Sequence, residues 1–113
     1  VGEIRLHYLW DGGLIDWKKE SLLKYAKHLN ARVQDLEKPK RFDSKVNDWA
    51  DESRYLAIKY AYPLENNELS KAYISKGRVI IEQRMVQAGI RLADLLNQLL
   101  LTKNYNGGLL VRN

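Results

Sequence analysis

The chain reads as all-α, and three observations carry that reading. Apolar residues recur at three- and four-residue spacing over long stretches, and the two prolines, Pro39 and Pro63, fall between those stretches. No window alternates apolar and polar residues between hairpin turns. The first element is short: Leu6 to Asp11 fits a helix that Gly12-Gly13 ends. Trp17 to Leu29 fits the second, with Asp16 as N-cap and Leu22, Tyr25, Ala26 and Leu29 as its inward stripe, while Lys18, Lys19, Lys24 and Lys27 fall elsewhere. A basic loop around Lys38-Pro39-Lys40-Arg41 leads to the clearest segment, from about Asp43 to Tyr62. There Val46, Trp49, Ala50, Ser53, Leu56, Ala57 and Tyr60 share one buried face, Asp43 is placed as an N-cap and Pro63 stops the helix. After the polar loop Leu64-Glu65-Asn66-Asn67-Glu68, a long helix is expected from about Gly77 to Leu101. Its stripe of Ile81, Met85, Ala88, Gly89, Leu92, Ala93, Leu96, Leu99 and Leu100 is wide enough for a helix buried between neighbours. Asn104 to Gly108 begins a tail expected to move unless something ties it down.

The bulk properties agree with one globular domain: 113 residues, 45% hydrophobic and 29% charged. The absence of cysteine excludes a disulfide framework and any thiolate zinc site, so a metal would be held by imidazole and carboxylate, and only two histidines are present. No apolar run approaches the roughly 18 residues of a membrane span, so stable membrane insertion is not expected. Val1 to Arg5 lacks the basic region and apolar core of a signal peptide. Nineteen basic against fourteen acidic residues give a net charge of +5, which suits a polyanionic partner and equally suits a domain that merely stays soluble.

The sharpest chemical feature is His7-Tyr8-Leu9-Trp10-Asp11. On a helix His7 and Asp11 lie on one face a turn apart, where an imidazole nitrogen and a carboxylate oxygen reach one divalent ion or simply bond to each other. Spacing leaves both readings open. His28, between Lys27 and Leu29, reads as a surface or boundary residue. Asp48, Asp51 and Glu52 share a helix with Trp49, and Asp48 and Glu52 repel at a four-residue spacing unless a cation, a helix N-terminus or an arginine intervenes. No phosphate-cradling glycine loop or nucleophile elbow is present. Lys38, Lys40 and Arg41 beside Phe42 could contact phosphates and a base, or form a solvated loop. Trp10, Trp17, Trp49, Tyr60 and Tyr62 fit core or boundary positions.

Three blocks in order carry a resemblance. Leu6-His7-Tyr8-Leu9-Trp10-Asp11-Gly12-Gly13-Leu14-Ile15 comes first. Trp49-Ala50-Asp51-Glu52-Ser53 follows, with Leu56-Ala57 and Ala61-Tyr62-Pro63 behind it, and after Leu69 and Tyr73 comes Ala88-Gly89-Ile90-Arg91-Leu92-Ala93-Asp94-Leu95-Leu96-Asn97. Together they resemble the zinc-dependent single-strand-specific nucleases of the nuclease and phospholipase C superfamily, over about Leu6 to Leu101. One departure is Arg5, where that family usually has Asn; arginine cannot cap the helix through a side-chain carbonyl.

The resemblance implies that residues 1–113 are the C-terminal portion of a single helical nuclease domain, with its N-terminal portion absent or on a separate chain. It implies that His7 and Asp11 bind one ion of a three-zinc cluster, His7 as neutral imidazole, with the remaining ligands upstream. It further implies a secreted or periplasmic endonuclease that cleaves single-stranded DNA or RNA to 5′-nucleotides, with 3′-nucleotidase activity in reach, and an isolated chain with little activity. No catalytic residue beyond the metal ligands is assigned. Two alternatives stand beside this: a phospholipase C acting on lipid phosphodiesters, and a non-catalytic basic helical module that binds nucleic acid or protein.

Overall fold

The computed structural model describes residues 5–16, 20–34 and 46–107, and among them every regular element is helical. Helix α1 (residues 6–16) is α-helical at Leu6–Tyr8 and Leu14–Asp16 and widens to a π turn at Leu9–Gly13. The Leu14 N–H reaches back five residues to the Leu9 carbonyl. Gly12-Gly13 therefore lie inside the helix and do not end it. Arg5 stands at the N-cap in an extended conformation with no side-chain cap bond, as its chemistry predicts.

Helix α2 (Leu22–Ala31) is capped by Ser21, whose Oγ accepts the Lys24 N–H at 3.4 Å, and runs into a 3₁₀ turn at Arg32–Gln34. The expected N-cap, Asp16, is instead the last residue of α1, and Trp17 lies outside the described residues. The expected stripe holds only in part. Tyr25 and Leu29 are half-buried, whereas Leu22 and Ala26 face outward. Helix α3 is α-helical over Val46–Leu56 and closes with a second π turn, Ala57–Ala61, in which the Tyr62 N–H bonds the Ala57 carbonyl at 2.9 Å. The chain leaves the helix at Tyr62, one residue before Pro63, as expected; Asp43 and the basic loop lie outside the described residues. Tyr62, expected at a boundary, is exposed. The polar loop forms a 3₁₀ turn at Glu65–Asn67 with Asn66 and Asn67 at φ 55° and 57°, a left-handed conformation that asparagine tolerates better than most residues.

Helix α4 (Lys71–Gly107) begins well before the expected Gly77 and continues past Leu101. Ser70 starts it: its Oγ accepts the Tyr73 N–H at 3.1 Å. Asn104 to Gly107, expected to open a mobile tail, continue the helix. At about 1.5 Å per residue such a helix is roughly 55 Å long, and it accounts for most of the molecule's 61 Å long dimension.

Both α1 and α2 pack on the first half of α4. Among the described residues the buried set is Leu9, Leu14, Ala61, Ile80, Val86 and Gly77, with Glu82 the one buried charge. Leu14 sits against Gly77, where an added Cβ would lie 2.9 Å from its Cδ1, so any larger residue there would force Leu14 to shift. Arg32 pairs with Glu82 and ties the end of α2 to α4. Burial, followed by the charges of Glu82 and Glu20, pushes the nearby Tyr25 hydroxyl above its usual range. The second half of α4 differs from expectation. Leu92, Leu96, Leu99 and Leu100 are exposed, and a Cβ at Gly89 would meet nothing within 4 Å; α3 flanks this half only near its start, where Val46, Trp49 and Ala50 line an open cleft with Leu92 and Leu95.

Candidate metal centre and its support

His7 and Asp11 come together as their spacing predicts, with Nε2 3.0 Å from Oδ2. Both face solvent, the side chains 89% and 67% exposed. Two ligands of a tetrahedral zinc with bonds of about 2.0–2.1 Å stand roughly 3.3 Å apart, so the pair needs to open by only about 0.3 Å to share an ion. The donor chemistry fits, imidazole with carboxylate, and both side chains are accessible. Among the described residues no third histidine or carboxylate joins them. His28 is exposed on α2 and stacks on Tyr25, ring centroids 6.4 Å apart, away from the pair's helix.

The turn that carries the pair is held from below. Trp10, immediately before Asp11, turns inward; its indole N–H donates to the Tyr73 hydroxyl at 2.8 Å, and the two rings meet edge to face at 6.2 Å. The Tyr73 hydroxyl donates in turn to the Ala61 carbonyl at 2.6 Å. A cleft of about 570 Å³ opens beside Asp11, lined by Trp10, Ile15 and Met85 with Ser53 and Arg84.

A second cluster occupies the far wall of that cleft. The Glu52 carboxylate accepts from Arg84 Nη1 at 2.9 Å and from Arg91 Nη2 at 2.8 Å to both oxygens. Arg84 also donates to Ser53 Oγ at 2.8 Å, and the Arg91 guanidinium lies over the Trp49 ring, 5.0 Å from its centroid. Burial pushes the Glu52 carboxyl up, but the hydrogen bonds and charges of Arg84 and Arg91 outweigh it and hold it below its ordinary value. The repulsion expected between Asp48 and Glu52 is thus relieved at Glu52 by arginines from another helix. Because both its oxygens are engaged, Glu52 serves as a clasp between α3 and α4 rather than as a free ligand or base.

Neither the Glu52 clasp nor the Trp10–Tyr73–Ala61 chain was legible as a contact in the sequence. The residues themselves were visible within the ordered blocks, since Glu52, Ser53, Tyr73 and Arg91 all belong to them. The structure shows that the second and third blocks face each other.

A profile of the S1/P1 nucleases matches residues 2–101. Endonuclease 5 of Arabidopsis thaliana is 32% identical over 122 residues, covering 92% of this chain and 40% of the relative. Endonuclease 4 of the same plant is 31% identical over 128 residues, covering 91% and 40% respectively. The chain therefore spans about two fifths of the length of these curated relatives. No solved structure matches it significantly.

Proposed function

The chain belongs to the S1/P1 nuclease family, and on that footing we propose that it supplies the C-terminal helices and one pair of metal ligands to a zinc-dependent endonuclease. The reaction in this reading is hydrolysis of phosphodiester bonds in single-stranded DNA or RNA to 5′-nucleotides, in a secreted or periplasmic enzyme. One observation carries it: His7 and Asp11 stand 3.0 Å apart on the solvent face of a helix beside an open cleft. The relatives' shared designation as endonucleases favours nuclease over phospholipase. Their greater length supports reading the chain as part of a longer enzyme; in this proposal an N-terminal portion holds the remaining members of a three-zinc cluster.

His7 Nε2 and an Asp11 oxygen would hold zinc. When bound, the ion supplies Lewis acidity toward a phosphate oxygen and makes water more acidic. The residues of this chain do the rest of the local work. The carboxylate balances the cation's charge, Trp10 fixes the turn from the buried side, and the cleft beside Asp11 leaves room for a strand. His7 binds as the neutral imidazole, so acid competes with the metal.

Zinc content by mass spectrometry and hydrolysis of single-stranded DNA by the full-length protein test the reading. Stoichiometric zinc, with activity that chelation removes and zinc restores, is the expected result. His7→Ala and Asp11→Ala should each lower zinc-dependent hydrolysis by on the order of a hundredfold or more, beyond the 10–100-fold typical of outer-sphere partners. A full-length protein without zinc and without zinc-dependent hydrolysis would sink it. The 113-residue chain by itself should bind zinc weakly and hydrolyse little, because it offers two ligands where a closed site needs more.

A further inference from the structure

The Tyr73 hydroxyl stands where three elements meet. It accepts the Trp10 indole N–H at 2.8 Å and donates to the Ala61 carbonyl at 2.6 Å, while the Tyr73 backbone N–H is fixed by Ser70 Oγ at 3.1 Å. We infer that Tyr73 is a positioning residue for the His7–Asp11 turn, acting through Trp10. The inference rests on reading that pair as metal ligands.

Three features of the turn show why it needs such a partner. Its Asp11 end lies in a π turn, Leu9–Gly13, a rare helical geometry, while His7 stands in the α-helical stretch just before it. It is followed directly by Gly12-Gly13, which weaken a helix and leave its backbone freer to unwind. Both ligand side chains point into solvent, so no packing of their own fixes their direction. Trp10 is the neighbour of Asp11 that points the other way, and rotating the turn about its axis would swing the indole and the carboxylate together. A bond that fixes the indole N–H therefore fixes the direction of Asp11.

Tyr73 is itself well anchored for this role. It occupies the first turn of a long helix capped at Ser70, four residues before the Gly77 seat of Leu14. Its other partner is the last carbonyl of the second π turn, Ala57–Ala61, and the chain leaves that helix at Tyr62, so no following helical turn supplies a donor. The hydroxyl thus has one donor and one acceptor, both committed. Phenylalanine would keep the edge-to-face ring contact and lose both bonds.

The test uses the full-length protein and reads metal binding apart from catalysis. Tyr73→Phe should weaken affinity for one zinc equivalent by about tenfold, the lower end of what outer partners of metal ligands contribute. It should also shift the visible absorption of the cobalt-substituted protein and speed hydrogen exchange of the Trp10 indole N–H in the zinc-free protein. Trp10→Phe removes the same hydrogen bond from the other side; its zinc loss should match, and the double variant should lose no more than either alone. Val86→Ala, a buried position remote from this chain of bonds, controls for stability and should leave zinc affinity unchanged at a comparable loss of Tm. The positioning role is overturned if Tyr73→Phe keeps wild-type zinc affinity and cobalt spectrum, or if Val86→Ala loses zinc equally. If Tyr73→Phe does not fold, the Trp10→Phe measurement decides alone. Zinc affinity unchanged in His7→Ala brings down the metal reading and the positioning role with it. Loss of zinc in His7→Ala but not in Tyr73→Phe brings down the positioning role only.

Discussion

The two halves of helix α4 both carry apolar residues at helical spacing and sit in opposite environments. Its first half, up to about Gln87, buries Gly77, Ile80, Glu82 and Val86 beneath α1 and α2. Its second half carries more leucine, yet Leu92 is 57% and Leu99 56% exposed. Periodicity therefore identifies a face able to be buried and does not show what buries it. The Glu52 clasp spans the boundary between the halves, because Arg84 belongs to the first and Arg91 to the second. The His7–Asp11 pair stands above the first half, where packing is densest.

The largest stability effect expected along α4 separates the halves directly. In the 113-residue chain, Ile80→Ala should cost about 2–5 kcal/mol by leaving a cavity, whereas Leu99→Ala should stay within about 0.5 kcal/mol. Urea denaturation monitored by circular dichroism measures both. A multi-kcal/mol loss from Leu99→Ala in the full-length protein would show that another part of that protein covers the second half.

Glu52→Ala comes next, at about 1–3 kcal/mol, since it leaves two guanidinium groups facing each other without their shared acceptor. A thermal midpoint equal to wild type would show that the clasp contributes nothing to holding α3 on α4. Smaller again is a pair of glycine substitutions expected to have opposite signs. Gly77→Ala gains about 1 kcal/mol of helix propensity but forces the fully buried Leu14 to shift, an overpacking cost of about 1–3 kcal/mol, and should destabilise on balance. Gly89→Ala meets open space and should stabilise by about 1 kcal/mol. Equal signs in chemical denaturation would erase the contrast between the halves.

The smallest expected effect is on acid stability. The Glu52 carboxyl is held below its ordinary value of 4.5, so its stabilising contribution is present above that value and is lost as pH falls through the lower, folded-state value. Unfolding free energies measured from pH 6 downward should therefore fall less steeply for Glu52→Gln than for wild type in that acidic window. Parallel curves would remove the charge from the account of the clasp.

Local chemistry was legible without the fold. Three- and four-residue spacing marked α3 and most of α4, Pro63 marked the end of α3, and four-residue spacing placed His7 beside Asp11, because each depends only on neighbours within one or two helical turns. The ordered blocks gave the family for the same reason, since they are strings of adjacent residues. Tertiary structure alone decided that Glu52 belongs to Arg84 and Arg91, 32 and 39 positions away, and that Trp10 belongs to Tyr73, 63 positions away. It also decided that Gly12-Gly13 widen a helix instead of ending it, and that Leu14 rather than the leucines of α4 fills the core. These outcomes depend on which surfaces meet across long stretches of chain. Helical periodicity specifies the faces available for contact, and close packing of particular side chains selects among them.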